Sequence, residues 1–160
     1  MLPMQTILHP TDFSEPSEHA FRLACALARD HGAGLVVVHV LGLPMGGYSD
    51  LAPLIPEPAE VERDLREKLR ALRPPGTAVG VEHHLRRGDA ADEIIRLAEE
   101  TRANLIVMAT HGRTGLGRLV LGSVAEAVLR RAPCPVLTLK MPFPTDADSP
   151  PARPTQDARA

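Results

Sequence analysis

The residue types best suited to chemistry lie between Ile106 and Glu126. Gly112, Gly115, Gly117 and Gly122 fall within eleven positions, Arg113 and Arg118 stand among them, and Ser123-Val124-Ala125-Glu126 follows. Glycines let backbone N–H groups turn inward and come close to a ligand, and the arginines add full positive charge. The closing tetrapeptide reads as a capping box, with Ser123 as N-cap and Glu126 reaching back to its backbone N–H. A helix start directly after such a loop offers unpaired donors and the positive end of a dipole. The chemistry this points to is anion binding, as in a phosphate-binding loop. It is not a Walker motif, because no Gly-Lys-Ser/Thr follows a four-residue gap, and Val120 stands where a dinucleotide fingerprint needs its third glycine. A flexible connection without a ligand is the alternative, and the density of glycine weighs against it.

The elements that must hold this loop follow from periodicity. Leu105 to Met108 is a short apolar run after polar Asn104, a buried strand leading into the loop, and a helix from Val124 to Arg131 leads out of it. At the other end of the chain, Thr6 to His9 forms a strand ended by Pro10. Asp12-Phe13-Ser14-Glu15 makes a turn, and Ser14 is the N-cap of a helix from Glu15 to His31. That helix carries Ala20, Phe21, Ala24, Leu27 and Ala28 on one face, and Gly32 and Gly34 end it. Leu35 to Leu41 is a near-continuous apolar strand of the kind covered on both faces. Residues 42–58 are rich in Gly and Pro, a long connection of the sort that often serves as a lid. A helix from Ala59 to Leu72 rests on Val61, Leu65, Leu69 and Leu72. The alternation of Val79, Val81, His83 and Leu85 marks the third strand. Gly88-Asp89 opens a helix from Ala90 to Thr101, with Ile94, Ile95, Leu97 and Ala98 inward, and Val136 to Lys140 is the fifth strand. Five strands alternating with four helices predict a doubly wound α/β fold: a parallel sheet with right-handed crossovers and helices on both faces. Periodicity alone leaves the strand order open.

Composition narrows the classes of function. At 160 residues, 44% hydrophobic and 24% charged, the chain is an ordinary globular sequence that can bury a core without staples. Aromatic residues make up 2% of it, too few for base-stacking platforms, and a formal charge of −2 attracts no polyanion, so no nucleic-acid partner is expected. Two cysteines, Cys25 and Cys134, do not form a disulfide framework; Cys25 shares a helical face with Phe21 and Ala28 and reads as a buried thiol. His83 and His84 point to opposite faces of a strand, and none of the seven histidines has a convincing ligand spacing, so no metal site is expected. No signal peptide or membrane-length apolar run stands out, and the expected location is cytoplasmic, with no membrane partner. No Ser-His-Asp set, carboxylate pair or phosphate-chain lysine stands out either. Residues 141–160, with five prolines and scattered charges, form an expected disordered tail beyond a single domain at 1–140.

Thr110-His-Gly-Arg-Thr-Gly115, Leu121 to Leu137 and Ile7-Leu-His-Pro-Thr-Asp-Phe-Ser-Glu15 resemble the universal stress protein family, and the resemblance runs from about Thr6 to Lys140. Nucleotide-binding members of that family carry Gly-x-x-Gly, nine residues, then Gly-Ser or Gly-Thr. Here the spacing is kept as Ala109-Thr110-His111-Gly112, nine residues, then Gly122-Ser123, with alanine in place of the first glycine. The resemblance implies strand order 3-2-1-4-5 and a ligand crevice where strands 1 and 4 lie side by side. It implies that Asp12 sits with the adenosine end of a nucleotide, that Val40 contacts adenine, and that Gly112, Gly122 and Ser123 hold phosphates. Pro10, Thr11, Met108, Ala109, Arg113 and Val124 complete the implied cofactor-binding set. The cofactor is then ATP, or ADP or AMP, with Mg2+ as a possible companion. The implied function is a stress-response signalling or protective module with at most slow ATP hydrolysis. The implied partners are a second copy, paired through Val136 to Lys140, and other proteins. Two alternatives stay open: a stress protein that binds no nucleotide and acts through dimerisation and partners, and, with less support, an adenylyl-transferring enzyme.

Overall fold

The computed structural model describes residues 4–42, 58–76, 78–110 and 121–140. The connection at 43–57, the glycine loop at 111–120 with Gly112 and Arg113, and the 141–160 tail lie outside the described residues. Nine elements alternate in the expected order: β1 (Thr6–Pro10), α1 (Glu15–His31), β2 (Gly34–Leu41), α2 (Pro58–Ala71), β3 (Val81–Arg87), α3 (Ala90–Glu100), β4 (Leu105–Ala109), α4 (Ser123–Arg131) and β5 (Val136–Leu139). The strands form one parallel sheet in the order β3-β2-β1-β4-β5.

Alternation along the strands divides the core into two layers. Ile7, Leu35, Val37 and Val107 face Ala20, Phe21, Ala24, Cys25 and Ala28 of α1 and Leu69 of α2. Leu8, Val36, Val38, Ile106 and Met108 face Ile94, Leu97 and Ala98 of α3 and Ala125 and Val128 of α4. The thiol of Cys25 belongs to the first layer, where burial pushes its pKa up to about 11 and keeps it protonated at neutral pH.

Local chemistry sets the ends of the elements. Ser14 caps α1, its Oγ accepting from the Ser17 N–H at 3.3 Å, and Gly32 closes the helix in the left-handed region at φ 65°. Asp89 caps α3 by accepting from the Asp92 N–H at 3.0 Å. The third strand starts at Val81, two residues later than the alternation predicts, and runs on to Arg87. As an edge strand it pairs only with β2, so charged Arg86 and Arg87 continue the ladder opposite Val40 and Leu41. The expected capping box at Ser123 is corrected. Gly122 is the N-cap of α4, extended at φ −63° and ψ 147°, and no side chain caps it. The cause is long-range: the Gly122 N–H donates to the Thr110 carbonyl at 2.8 Å, which fixes Gly122 and starts the helix at Ser123. Glu126 turns away to pair with Arg130 at 3.2 Å.

At the centre, β1 shares five register pairs with β2 but only Ile7↔Leu105 and Leu8↔Ile106 with β4. Below that contact, Asn104 Oδ1 accepts from the N–H groups of Gln5 and Thr6 at 2.8 and 2.9 Å. Above it the link is a side chain, for His9 Nδ1 donates to the Val107 carbonyl at 2.9 Å. His9 is fully buried with its ring 5.6 Å from that of Phe21, and its Nε2 has no partner among the described residues. Burial lowers its pKa from 6.5 to about 4, against smaller opposing effects of the Val107 bond and the Asp12 charge. Between those two values the unfolded chain binds a proton that the folded chain refuses, so stability is lost as pH falls through that window. The loss is about 3 kcal/mol in all. Urea unfolding at pH 7.5 and pH 4.5 checks it: His9→Val should be less stable than wild type at pH 7.5 yet lose about 2–3 kcal/mol less on acidification. An equal loss in both proteins would refute the assignment.

Candidate functional site

A cavity of about 290 Å³ opens where β1 and β4 part at their carboxyl ends. That is the point where the strand order reverses and where open α/β sheets hold ligands. Its wall is contributed by six places in the chain, one of them Ser17 of α1. Pro10, Thr11 and Asp12 follow from β1, Val38, His39 and Val40 come from β2, and Met108, Ala109 and Thr110 from the end of β4. Gly122, Ser123, Val124 and Ala125 come from the start of α4, and Ala90 and Ile94 from α3. Nine of the expected cofactor-binding residues (Pro10, Thr11, Asp12, Val40, Met108, Ala109, Gly122, Ser123 and Val124) therefore line one cavity.

The turn after β1 is tightly built. The Thr11 N–H donates to the Val38 carbonyl at 2.8 Å, continuing the β1–β2 ladder by one bond. Thr11 Oγ1 accepts from the Phe13 N–H at 3.1 Å and from Ser17 Oγ at 3.0 Å. Asp12 Oδ1 accepts from the Ser14 N–H at 3.0 Å and from Ser14 Oγ at 2.6 Å, the self-capping role that turn aspartates favour. The carboxylate is thus held in place at the cavity wall by α1's own N-cap. Phe13 takes φ 61°, a left-handed conformation costly for a side chain of its size.

The cavity presents two kinds of surface. Val40, Ile94 and Met108 give an apolar wall suited to the face of a flat ring. The first turn of α4 lines the same cavity, and its N-cap supplies no side-chain acceptor. The early N–H groups of a helix have no partner within it, so this turn offers donors and a positive dipole end to an anion. The one formal charge on the wall among the described residues is the carboxylate of Asp12. A volume of about 290 Å³ is at the small end of small-molecule pockets, suited to one nucleoside rather than a dinucleotide.

His39, Thr110, Ser17, Ala90 and Ile94 line the same cavity without having been singled out from the sequence. Ile94 reads there as core, and Ser17 carries no reading of its own. Only the packing of α1 and α3 against the strand ends brings them to the site.

Residues 3–140 match the universal stress protein family. A universal stress protein of Methanocaldococcus jannaschii is 36% identical over 147 residues, spanning 85% of this chain and 82% of that protein. Among solved structures, a universal stress protein of Lactobacillus plantarum superposes with a TM-score of 0.72, covering 88% of this chain and all of the other, at 23% identity, a likeness of fold. The universal stress protein of Archaeoglobus fulgidus in complex with dAMP superposes with a TM-score of 0.58 at 28% identity, over 88% of this chain and 100% of that one. With that fold, that strand order and those matches, this chain belongs to the universal stress protein family.

Proposed function

We propose that this protein binds an adenine nucleotide in the β1–β4 crevice and acts as a stress-response signalling or protective module, with at most slow ATP hydrolysis. The observation that carries this reading is the pairing, in one cavity, of an apolar wall with a helix start that no side chain caps. The dAMP complex of the Archaeoglobus fulgidus relative supports it. Val40, Ile94 and Met108 would pack against the base and Asp12 would accept from the nucleoside. Gly122, Ser123 and Val124 would hold phosphate, with Gly112 and Arg113 as further phosphate contacts. ATP, ADP and AMP all suit this division, with Mg2+ accompanying the longer phosphate chains. Three or four charge-assisted hydrogen bonds at about 1.5–3 kcal/mol each, together with base burial, support micromolar affinity after the costs of association. Calorimetric titration with ATP and AMP, and mass spectrometry of small molecules released from the purified protein, test the reading. Neither heat nor released nucleotide would leave the protein acting through partners alone.

Two substitutions probe the phosphate end. Ala109 closes β4 opposite Leu139, and the non-glycine residues with positive φ among those described are Phe13 and Arg102. The backbone at Ala109 therefore makes no demand for glycine, and Ala109→Gly should change ATP affinity less than about tenfold. A wild type that fails to bind beside a variant that binds at micromolar ATP would mean that the methyl group closes the pocket. Gly122 at φ −63° accepts any residue without strain, so Gly122→Val should fold normally. Its side chain would crowd the phosphate, and binding should weaken by about tenfold or more. Unchanged affinity would place the phosphates elsewhere.

We also propose a homodimer through β5. This edge strand and α4 beside it expose Val124, Leu129 and Leu137, at 37%, 42% and 39%. An apolar open edge calls for a partner. Pro135 and Leu139 accept from Ile106 of β4 and from Thr110 just after it, so by alternation the outward donors of β5 are those of Val136 and Thr138. Thr138→Pro removes one outward N–H and spares the bonds to β4. Sedimentation at micromolar concentration should show a wild-type dimer and a weakened variant, and a wild-type monomer refutes the pairing.

A further inference from the structure

We propose that His39 is the positioning residue of the crevice, setting the direction in which the Thr11–Asp12 peptide presents its groups to the ligand. The proposal rests on the nucleotide-binding reading above. His39 lies near the end of β2, and its Nδ1 is 2.7 Å from the Thr11 carbonyl oxygen. A carbonyl only accepts, so Nδ1 carries the hydrogen and donates it. Register pairing between β1 and β2 ends at Pro10↔Val38, and one further backbone bond, Thr11 N–H to Val38 O at 2.8 Å, follows. From there the histidine ring takes over from the backbone. Both polar groups of Thr11 are thereby drawn toward β2. In a trans peptide the next N–H points opposite to the carbonyl, so the Asp12 N–H is directed away from β2, toward β4 and the crevice.

A second contact shows that this orientation is enforced. The Phe13 ring lies 4.6 Å from the His39 ring, tilted by 42°, while the Phe13 backbone is held at φ 61°. A bulky residue in the left-handed region persists only when its surroundings over-determine it. The surroundings here are the ring contact with His39, the Phe13 N–H bond to Thr11 Oγ1 and the Ser14 bonds to the Asp12 carboxylate. Removing the Nδ1 donor frees the Thr11 carbonyl, and the peptide that carries Asp12 can then rotate.

Three variants separate positioning from bulk. The amide nitrogen of His39→Asn falls close to the place of Nδ1 and restores the donor. His39→Gln places its amide nearer the position of Nε2, and His39→Leu has no donor at all. Titration with ATP should leave the Asn variant within about threefold of wild type and weaken the Gln and Leu variants about tenfold or more. In ¹⁵N–¹H spectra of the ligand-free proteins, the Asp12 amide signal should move further in the Gln and Leu variants than in the Asn variant, since all three lose the ring beside Phe13 and only Asn keeps the donor. Equal affinity in all four proteins, or an equal loss in all three folded variants, would overturn the proposal. A wild type that binds no ATP would instead refute the nucleotide reading, and amide shifts that stay put in the Gln and Leu variants would still overturn the positioning role.

Discussion

The constraint on which this molecule depends is that a parallel sheet must be covered on both faces while every crossover keeps the same hand. Chain travel from β1 through β2 to β3 lays α1 and α2 on one face. Return to the far side of β1, through β4 to β5, lays α3 and α4 on the other. Two neighbouring strands then send their chains to opposite faces, and a gap opens between them among the described residues. The register records this, for β1 and β4 share two pairs and then part. The cavity is the space that the winding rule leaves.

Holding a sheet together beside a gap takes polar groups in places otherwise surrounded by apolar ones. His9 bridges β1 to β4 with one ring nitrogen, in full burial, while the other has no partner among the described residues. Such a group costs free energy and makes the central pair sensitive to acid. Asn104 does the matching work at the lower end, where its oxygen accepts from Thr6 of β1 and from Gln5 just before it. Between these polar clasps, Leu8 and Ile106 provide the apolar contact. The turn after β1 repeats the pattern on a smaller scale, with Thr11, Asp12, Ser14 and Ser17 satisfying one another's polar groups.

Features that depend on near neighbours were legible in the sequence. Ser14 and Gly32 bracket α1 as expected, because caps are chosen within a few residues. The apolar runs gave the strands, and the alternation of strands and helices gave the fold class. Strand order came only with the family resemblance. Features that depend on distant partners escaped. Gly122 displaces Ser123 as the cap because a carbonyl twelve residues earlier holds it, and no local pattern reports such a bond. The start of β3 shifts to Val81 because its register is set by Leu35 of β2. His39 read as one more residue of an apolar strand, and only the approach of the β1 turn gives its ring a task. Asp12 was legible both as a turn residue and as a site residue, and it occupies both places, bonded to Ser14 at the cavity wall.

The hydrogen bond between Gly122 and Thr110 has a consequence for how this fold can vary. Thr110 and Gly122 stand twelve positions apart in the sequence and are joined directly by a bond 2.8 Å long. That bond ties the end of β4 to the start of α4 whatever the number of residues between them. Closing a loop twice as long costs only about 0.6 kcal/mol more. Relatives could therefore accept insertions or deletions in this segment while keeping the sheet and the helix start unchanged. The end of the crevice at the start of α4 is then the part of the protein where chain length can change at least cost to the fold.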